Sequence, residues 1–150
     1  MLEVKPPPVP HRGVSIAEAA RRTGLSVHTL RYYERAGLVV TAIDRTASGQ
    51  RRYQQLDLDW INVCTRLRAT GMPIRTIRRY AELVSDGHGN EKDRLALLEA
   101  HRVEVLARLA ELQENLELLD HKIGVYRGRI ASGEADHPWA PSRQAGTAAR

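Results

Sequence analysis

The sequence predicts a mainly α chain, in which a winged helix-turn-helix is followed by a long dimerising coiled-coil helix. Three observations predict it. Two short, separately capped helical segments flank a glycine turn at Gly24. A stretch of β-forming, turn and arginine residues follows over 38–55. A regular three–four spacing of apolar residues then runs from Leu95 to Ile130. The expected organisation is a flexible Pro-rich tail at 1–13, the winged unit at 14–83, the long helix at 91–131 and a disordered tail at 132–150.

Each element has its own signal. Ser15 can cap a helix from Ile16 to about Thr23, and Glu18 lies three residues on, which is the capping-box spacing. Gly24 can end that helix in a left-handed conformation. Ser26 caps a second helix, Val27 to about Ala36, stopped by Gly37. Together they place the helix-turn-helix at about 17–36. Leu38, Val39, Val40 and Ile43 are β-formers, Thr46-Ala47-Ser48-Gly49 is a turn, and Arg51-Arg52-Tyr53 returns as a second strand, so 38–55 reads as a hairpin or wing. A third helix, about Leu56 to Thr70 with Asp57 near its start, carries Leu58, Ile61, Cys64, Leu67 and Arg68 on one face. Pro73 suits the first turn of a fourth helix reaching about Val84, with Ile74, Ile77, Tyr80, Ala81 and Val84 inward.

The last helix has the clearest period. Leu95, Leu98, Arg102, Val105, Leu109, Leu112, Leu116, Leu119, Ile123, Tyr126 and Ile130 alternate steps of three and four, and Arg102 alone interrupts the apolar series. Residues 91–131 would extend roughly 60 Å at the helical rise. The preceding unit is too short to cover such a stripe, so a second helix is expected to, with Leu109, Leu112, Leu116, Leu119, Ile123 and Tyr126 as dimerisation residues.

Composition narrows the function classes. Twelve arginines face five acids between 14 and 80, whereas seven bases face eight acids between 91 and 131. The positive field belongs to the first half and points to a polyanion there. Arginine outnumbers lysine twenty to three, which reflects residue choice but does not place the excess in one half. The single cysteine, Cys64, excludes an internal disulfide and a multi-cysteine zinc site within one chain. No apolar run is long enough to span a membrane, and residues 1–13 lack the apolar stretch of a signal peptide, so a cytoplasmic protein is expected. No carboxylate pair, nucleophile–base arrangement or phosphate-cradling glycine loop argues for an enzyme, and no cofactor is expected.

In a helix-turn-helix the second helix enters the major groove. Its leading residues here are His28 and Thr29, followed by Arg31, which can fork onto phosphate or guanine, and by Tyr32 and Arg35. Leu30 and Tyr33 are expected inward and Tyr32 outward. Arg45, Arg51 and Arg52 flank the wing's turn as a second phosphate-binding set. The predicted partner is double-stranded DNA.

These residues carry a resemblance. The runs Ser15-Ile16-Ala17-Glu18-Ala19-Ala20, Thr23-Gly24-Leu25-Ser26, Thr29-Leu30-Arg31-Tyr32-Tyr33-Glu34 and Gly37-Leu38, the wing Arg45 to Tyr53, and Thr70-Gly71-Met72-Pro73-Ile74 resemble the MerR family of bacterial transcription regulators. The resemblance covers roughly 14–130. It implies a homodimer joined by an antiparallel coiled coil, seated on a promoter with an unusually long spacer. Bending and untwisting that spacer would let RNA polymerase engage both promoter elements, a deformation costing on the order of several kcal/mol. It also places Arg31, Tyr32, Arg45, Arg51 and Tyr53 at or near DNA. MerR-like folds can instead serve as adaptors for a protein partner, but an adaptor would have no reason to keep a basic wing and recognition helix.

Within the family, Trp60-Ile61, Met72-Pro73-Ile74 and the terminal coiled coil are most similar to the aldehyde- and thiol-stress-responsive branch, whose members carry a reactive cysteine in the third helix. Cys64 lies two positions before the matching place, which Arg66 occupies. Two residues turn a helix by about 200°, which puts Cys64 on the apolar face. A buried thiol would be inert, whereas Arg66 and Arg68 could activate an exposed sensor thiol. The metal-responsive branches place cysteines at the start of the dimerisation helix and in a loop after it. This chain has neither, and His88, His101, His121 and His137 are scattered, so no metal site is expected.

Overall fold

Ser15 does cap the first helix. Its Oγ accepts the Glu18 N–H at 3.2 Å, and α1 runs Ile16–Thr23. The Glu18 carboxylate does not reach back to close a box; it takes Arg21 and Arg22 one turn on, which hold its pKa below the usual carboxylate range. Gly24 ends α1 at φ 72° and donates to Ala20 O. Ser26 Oγ then accepts Thr29 N–H at 3.0 Å and opens α2, Val27–Arg35. The computed structural model describes residues 13–133. The two expected tails lie outside these residues, except at Gly13 and at Ser132 and Gly133.

Those exceptions are corrections. Gly13 is seated at φ 92°, where a Cβ would come within 2.7 Å of the Tyr53 carbonyl oxygen. Val14 and Tyr53 exchange both backbone hydrogen bonds, at 2.8 and 2.9 Å. The winged unit therefore begins with a strand-like contact that places Gly13 against the wing's base. At the other end, Ser132 is still helical.

The wing is smaller than its β-formers suggest. It consists of β1, Asp44–Arg45, antiparallel to β2, Arg51–Arg52, with Asp44 opposite Arg52 and Arg45 opposite Arg51. Residues 38–43, expected to extend the first strand, are not a strand. Two of their carbonyls are taken by side chains of the next two helices, α3 (Gln55–Ala69) and α4 (Ile74–Ser85). Trp60 Nε1 donates to Leu38 O at 2.5 Å and Cys64 Sγ to the same oxygen at 3.6 Å, while Ser85 Oγ donates to Val40 O at 2.5 Å. With these two acceptors taken, the segment buries Leu38 and Ile43 instead of pairing.

α3 is opened by Asp57, which is buried. Its Oδ2 accepts Gln54 N–H at 2.7 Å and its Oδ1 accepts the Thr41 hydroxyl at 2.9 Å, so one carboxylate caps the helix and ties down the preceding loop. Asp57→Ala removes both acceptors and is expected to cost about 1–3 kcal/mol. Urea denaturation should show it as a lower midpoint with unchanged slope. A midpoint equal to wild type would mean that the cap contributes nothing.

Contacts divide the described residues into two units, one ending at Val105 and the other beginning at Leu106. In the first, Ala19, Leu30, Tyr33, Leu38, Ile43, Tyr53, Leu58, Ile61, Cys64, Met72 and Ile77 form one core. The last helix, α5, spans Glu91–Ser132 and enters both units. Its first turns pack on that core through Leu97 and Leu98, and buried His101 brings Nε2 within 2.7 Å of Thr70 Oγ1. The first unit thus covers the start of the helix, contrary to expectation. Leu98 faces its own core, whereas Leu95 is exposed. In the second unit Leu109, Leu112, Leu116, Leu119, Ile123, Tyr126 and Ile130 are all exposed. Among the described residues no helix is long and apolar enough to cross a membrane.

Candidate nucleic-acid interface

The outer face of α2 carries the residues singled out in the sequence. His28, Arg31, Tyr32 and Arg35 are exposed and Thr29 is half-buried, its backbone N–H used by the Ser26 cap. Leu30 and Tyr33 face inward at 1% and 6% exposure, whereas Tyr32 is 40% exposed, the division expected from helical spacing. Arg31 lines a cleft of about 420 Å³ together with Ser15, Ile16, Ala17, Gly49, Gln50 and Arg51. Three elements meet there: the start of α1, the middle of α2 and the tip of the wing. The first N–H groups of a helix have no helical acceptor, so α1 presents its positive end to a cleft that already holds two arginines.

The three wing arginines do not act as one set. Side chains alternate across a strand, so Arg45 and Arg51 share one face while Arg52 joins Asp44 on the other. Arg45 and Arg51 both reach Glu34 of α2, Arg45 Nη2 to Oε1 at 2.9 Å and Arg51 Nε to Oε2 at 2.5 Å. Arg45 Nη1 also donates to Gly49 O at 3.2 Å, across the turn that Gly49 completes at φ 82°. Arg52 is half-buried, and its Nε is enclosed without a hydrogen-bond partner.

Tyr53 requires a correction. The resemblance placed it near DNA, but the residue is 1% exposed and belongs to the core. Its backbone pairs with Val14, which turns the ring inward, and burial raises the phenol pKa. Two features of the candidate interface escaped the sequence reading. The cleft at the N-terminus of α1 is a tertiary feature with no local signature. Glu34 had a signal: it is a lone acid in the otherwise basic α2.

Cys64 also departs from the sensor alternative. It is fully buried, and burial pushes its thiol up to about 12. A thiolate is the reactive form, so a thiol of this kind is inert near neutral pH. The arginines that could have activated it point elsewhere: Arg68 donates to Met72 O and Arg66 is exposed. Alkylation of the native protein at pH 8 is expected to proceed no faster than unfolding, and Cys64→Ser to leave any response to electrophiles intact. Rapid native-state labelling would return Cys64 to the sensor role. The same shift sets a pH dependence. The folded thiol holds its proton where the unfolded thiol loses it, so this contribution is complete below about 8.5 and is lost as pH rises toward 12. Among the described residues no group of three or more His, Cys, Asp or Glu could hold a metal ion.

A helix-turn-helix braced by a basic wing defines a DNA-binding regulator of the winged type. The comparisons agree. Residues 14–84 match the family model for the MerR HTH family regulatory protein, and 58–122 match the model described as MerR, DNA binding. An HTH-type transcriptional regulator of Haemophilus influenzae is 36% identical over 117 residues, covering 78% of this chain and 86% of that protein. A Listeria monocytogenes structure described as a MerR family transcriptional regulator superposes with a TM-score of 0.76 at 34% identity, over 81% of this chain and 92% of that one. HiNmlR, a MerR family regulator lacking the sensor domain and solved bound to promoter DNA, superposes with a TM-score of 0.70 at 35% identity, over 79% and 94%. The chain belongs to the MerR family of transcription regulators and binds DNA.

Proposed function

We propose that the protein works as a homodimer on a promoter, with α2 of each protomer in the major groove and the wing on the flanking backbone. His28 and Thr29 lead into the groove, Arg31, Tyr32 and Arg35 contact base edges or phosphate, and Arg45 and Arg51 aim at phosphate from the wing. The observation that carries this reading is the cleft that joins Arg31, Arg51 and the N-terminus of α1. All three carry positive charge or N–H donors and line one cleft, which suits a phosphate. Two such surfaces would be held at a set spacing by antiparallel pairing of α5 through Leu109, Leu112, Leu116, Leu119, Ile123 and Tyr126. In this reading the dimer activates transcription by distorting a long spacer until RNA polymerase meets both promoter elements.

A footprint on the DNA upstream of the protein's own reading frame, followed by transcription in vitro, tests the proposal. Protection across an overlong spacer, with polymerase-dependent activation, is the expected result. Protection over a spacer of ordinary length with no change in transcript would reject distortion as the mechanism.

A further inference from the structure

We infer that Glu34 is a positioning residue that aims the wing arginines and sets how much of their charge DNA can use. The inference rests on the reading of α2 and the wing as the DNA surface, and it concerns an acid where a polyanion is meant to bind. Arg45 and Arg51 stand directly opposite each other across the two strands. Like charges so placed repel and would splay the ribbon. Glu34 lies against both and takes one N–H from each through separate carboxylate oxygens. Arg51 and Glu34 are only 21% and 22% exposed, so solvent screens their attraction less than that of a surface pair.

This clamp has two consequences. It links α2 to the wing, so the groove-reading helix and the backbone-reading ribbon move together. It also subtracts charge. A guanidinium has five N–H donors, so each arginine keeps others for phosphate, but the pair presents less net charge than two free arginines. Affinity for arbitrary DNA comes mainly from phosphate neutralisation, and specificity is the excess over it. An acid that restrains the wing arginines therefore lowers non-specific binding while keeping the wing in register for the operator.

The test compares wild type and Glu34→Gln on an operator duplex and on a scrambled duplex of equal length, across a series of salt concentrations. The variant is expected to bind the scrambled duplex with a steeper salt dependence, by about 0.9 in the log–log slope per newly met phosphate and so about 2 for a dimer. Its operator-to-scrambled affinity ratio should fall at least tenfold. An unchanged slope and ratio would overturn the inference. If Glu34→Gln does not fold, Glu34→Asp keeps the charge but is one methylene shorter than the side chain that reaches both arginines, and it should lower the same ratio in a folded protein. A wild-type ratio in folded Glu34→Asp would again overturn the inference. A readout without DNA separates the clamp from the DNA reading: in the free protein the Arg51 Nε–H signal should be protected from exchange and lose that protection in Glu34→Gln. A wild-type protein lacking this protection has no clamp. A protected signal in a protein that ignores every operator duplex would instead reject the placement of DNA on this face.

Discussion

Replacing Leu112 and Leu116 together with glutamate is expected to give monomers of 16.8 kDa by light scattering, and to abolish stable binding to a full operator. These leucines are 63% and 47% exposed in the single chain, although their spacing belongs to the long apolar stripe. A pair of protomers would bury four of them. At about 1.5–3 kcal/mol for full burial, scaled to the roughly half of each leucine still exposed, their loss removes roughly 3–7 kcal/mol from association, before the cost of desolvating four carboxylates. The winged unit should remain folded, because its core lies before Val105 and draws on α5 only through its first turns. Circular dichroism should therefore keep the helical signal of that unit while the mass halves. A dimer of unchanged mass would move the interface off this face of the helix.

Arg31→Ala is the second large effect. Arg31 is exposed, on the α2 face that borders the cleft shared with Arg51 and the start of α1. Its core neighbours in sequence, Leu30 and Tyr33, point the other way, so truncation removes an exposed charge proposed to meet DNA without opening a cavity. Operator affinity is expected to fall by about 1–3 kcal/mol per half-site. If Arg31 meets phosphate, the salt slope also falls by about 0.9 per half-site, or about 2 for the dimer. Titration at several salt concentrations separates the cases. A lost affinity with an unchanged slope would assign Arg31 to a base edge, and no loss of affinity would take it out of the interface.

Most of the helical architecture was legible because its signals are local. Ser15, Gly24 and Ser26 mark helix ends by side-chain and backbone chemistry that acts within four residues. Leu30, Tyr33, Ile61, Cys64 and Ile77 fall on buried faces because helical period alone sorts them. The candidate interface on α2 was legible only as exposure: its outer face follows from the inner one.

The failures share a different cause. Residues 38–43 have strand-forming side chains, but a strand needs a partner, and the carbonyls of Leu38 and Val40 found Trp60, Cys64 and Ser85 instead. Tyr53 was placed near DNA by the family resemblance, whereas its backbone pairs with Val14 and its side chain is buried in the core. Leu98 belonged to the expected dimer seam until the packing of Leu97, Leu98 and His101 on the first unit claimed it.

The winged helix-turn-helix followed by a long apolar-striped helix was determined by the sequence alone, since caps, glycine turns and the three–four period act over short separations. Tertiary structure alone decided what the wing's charges do. Arg45, Arg51 and Arg52 look equivalent in sequence, but the two-residue period of a strand splits them, and Glu34, eleven residues before Arg45 and seventeen before Arg51, takes two of the three. An ion pair depends on distance in space, and no local pattern records it.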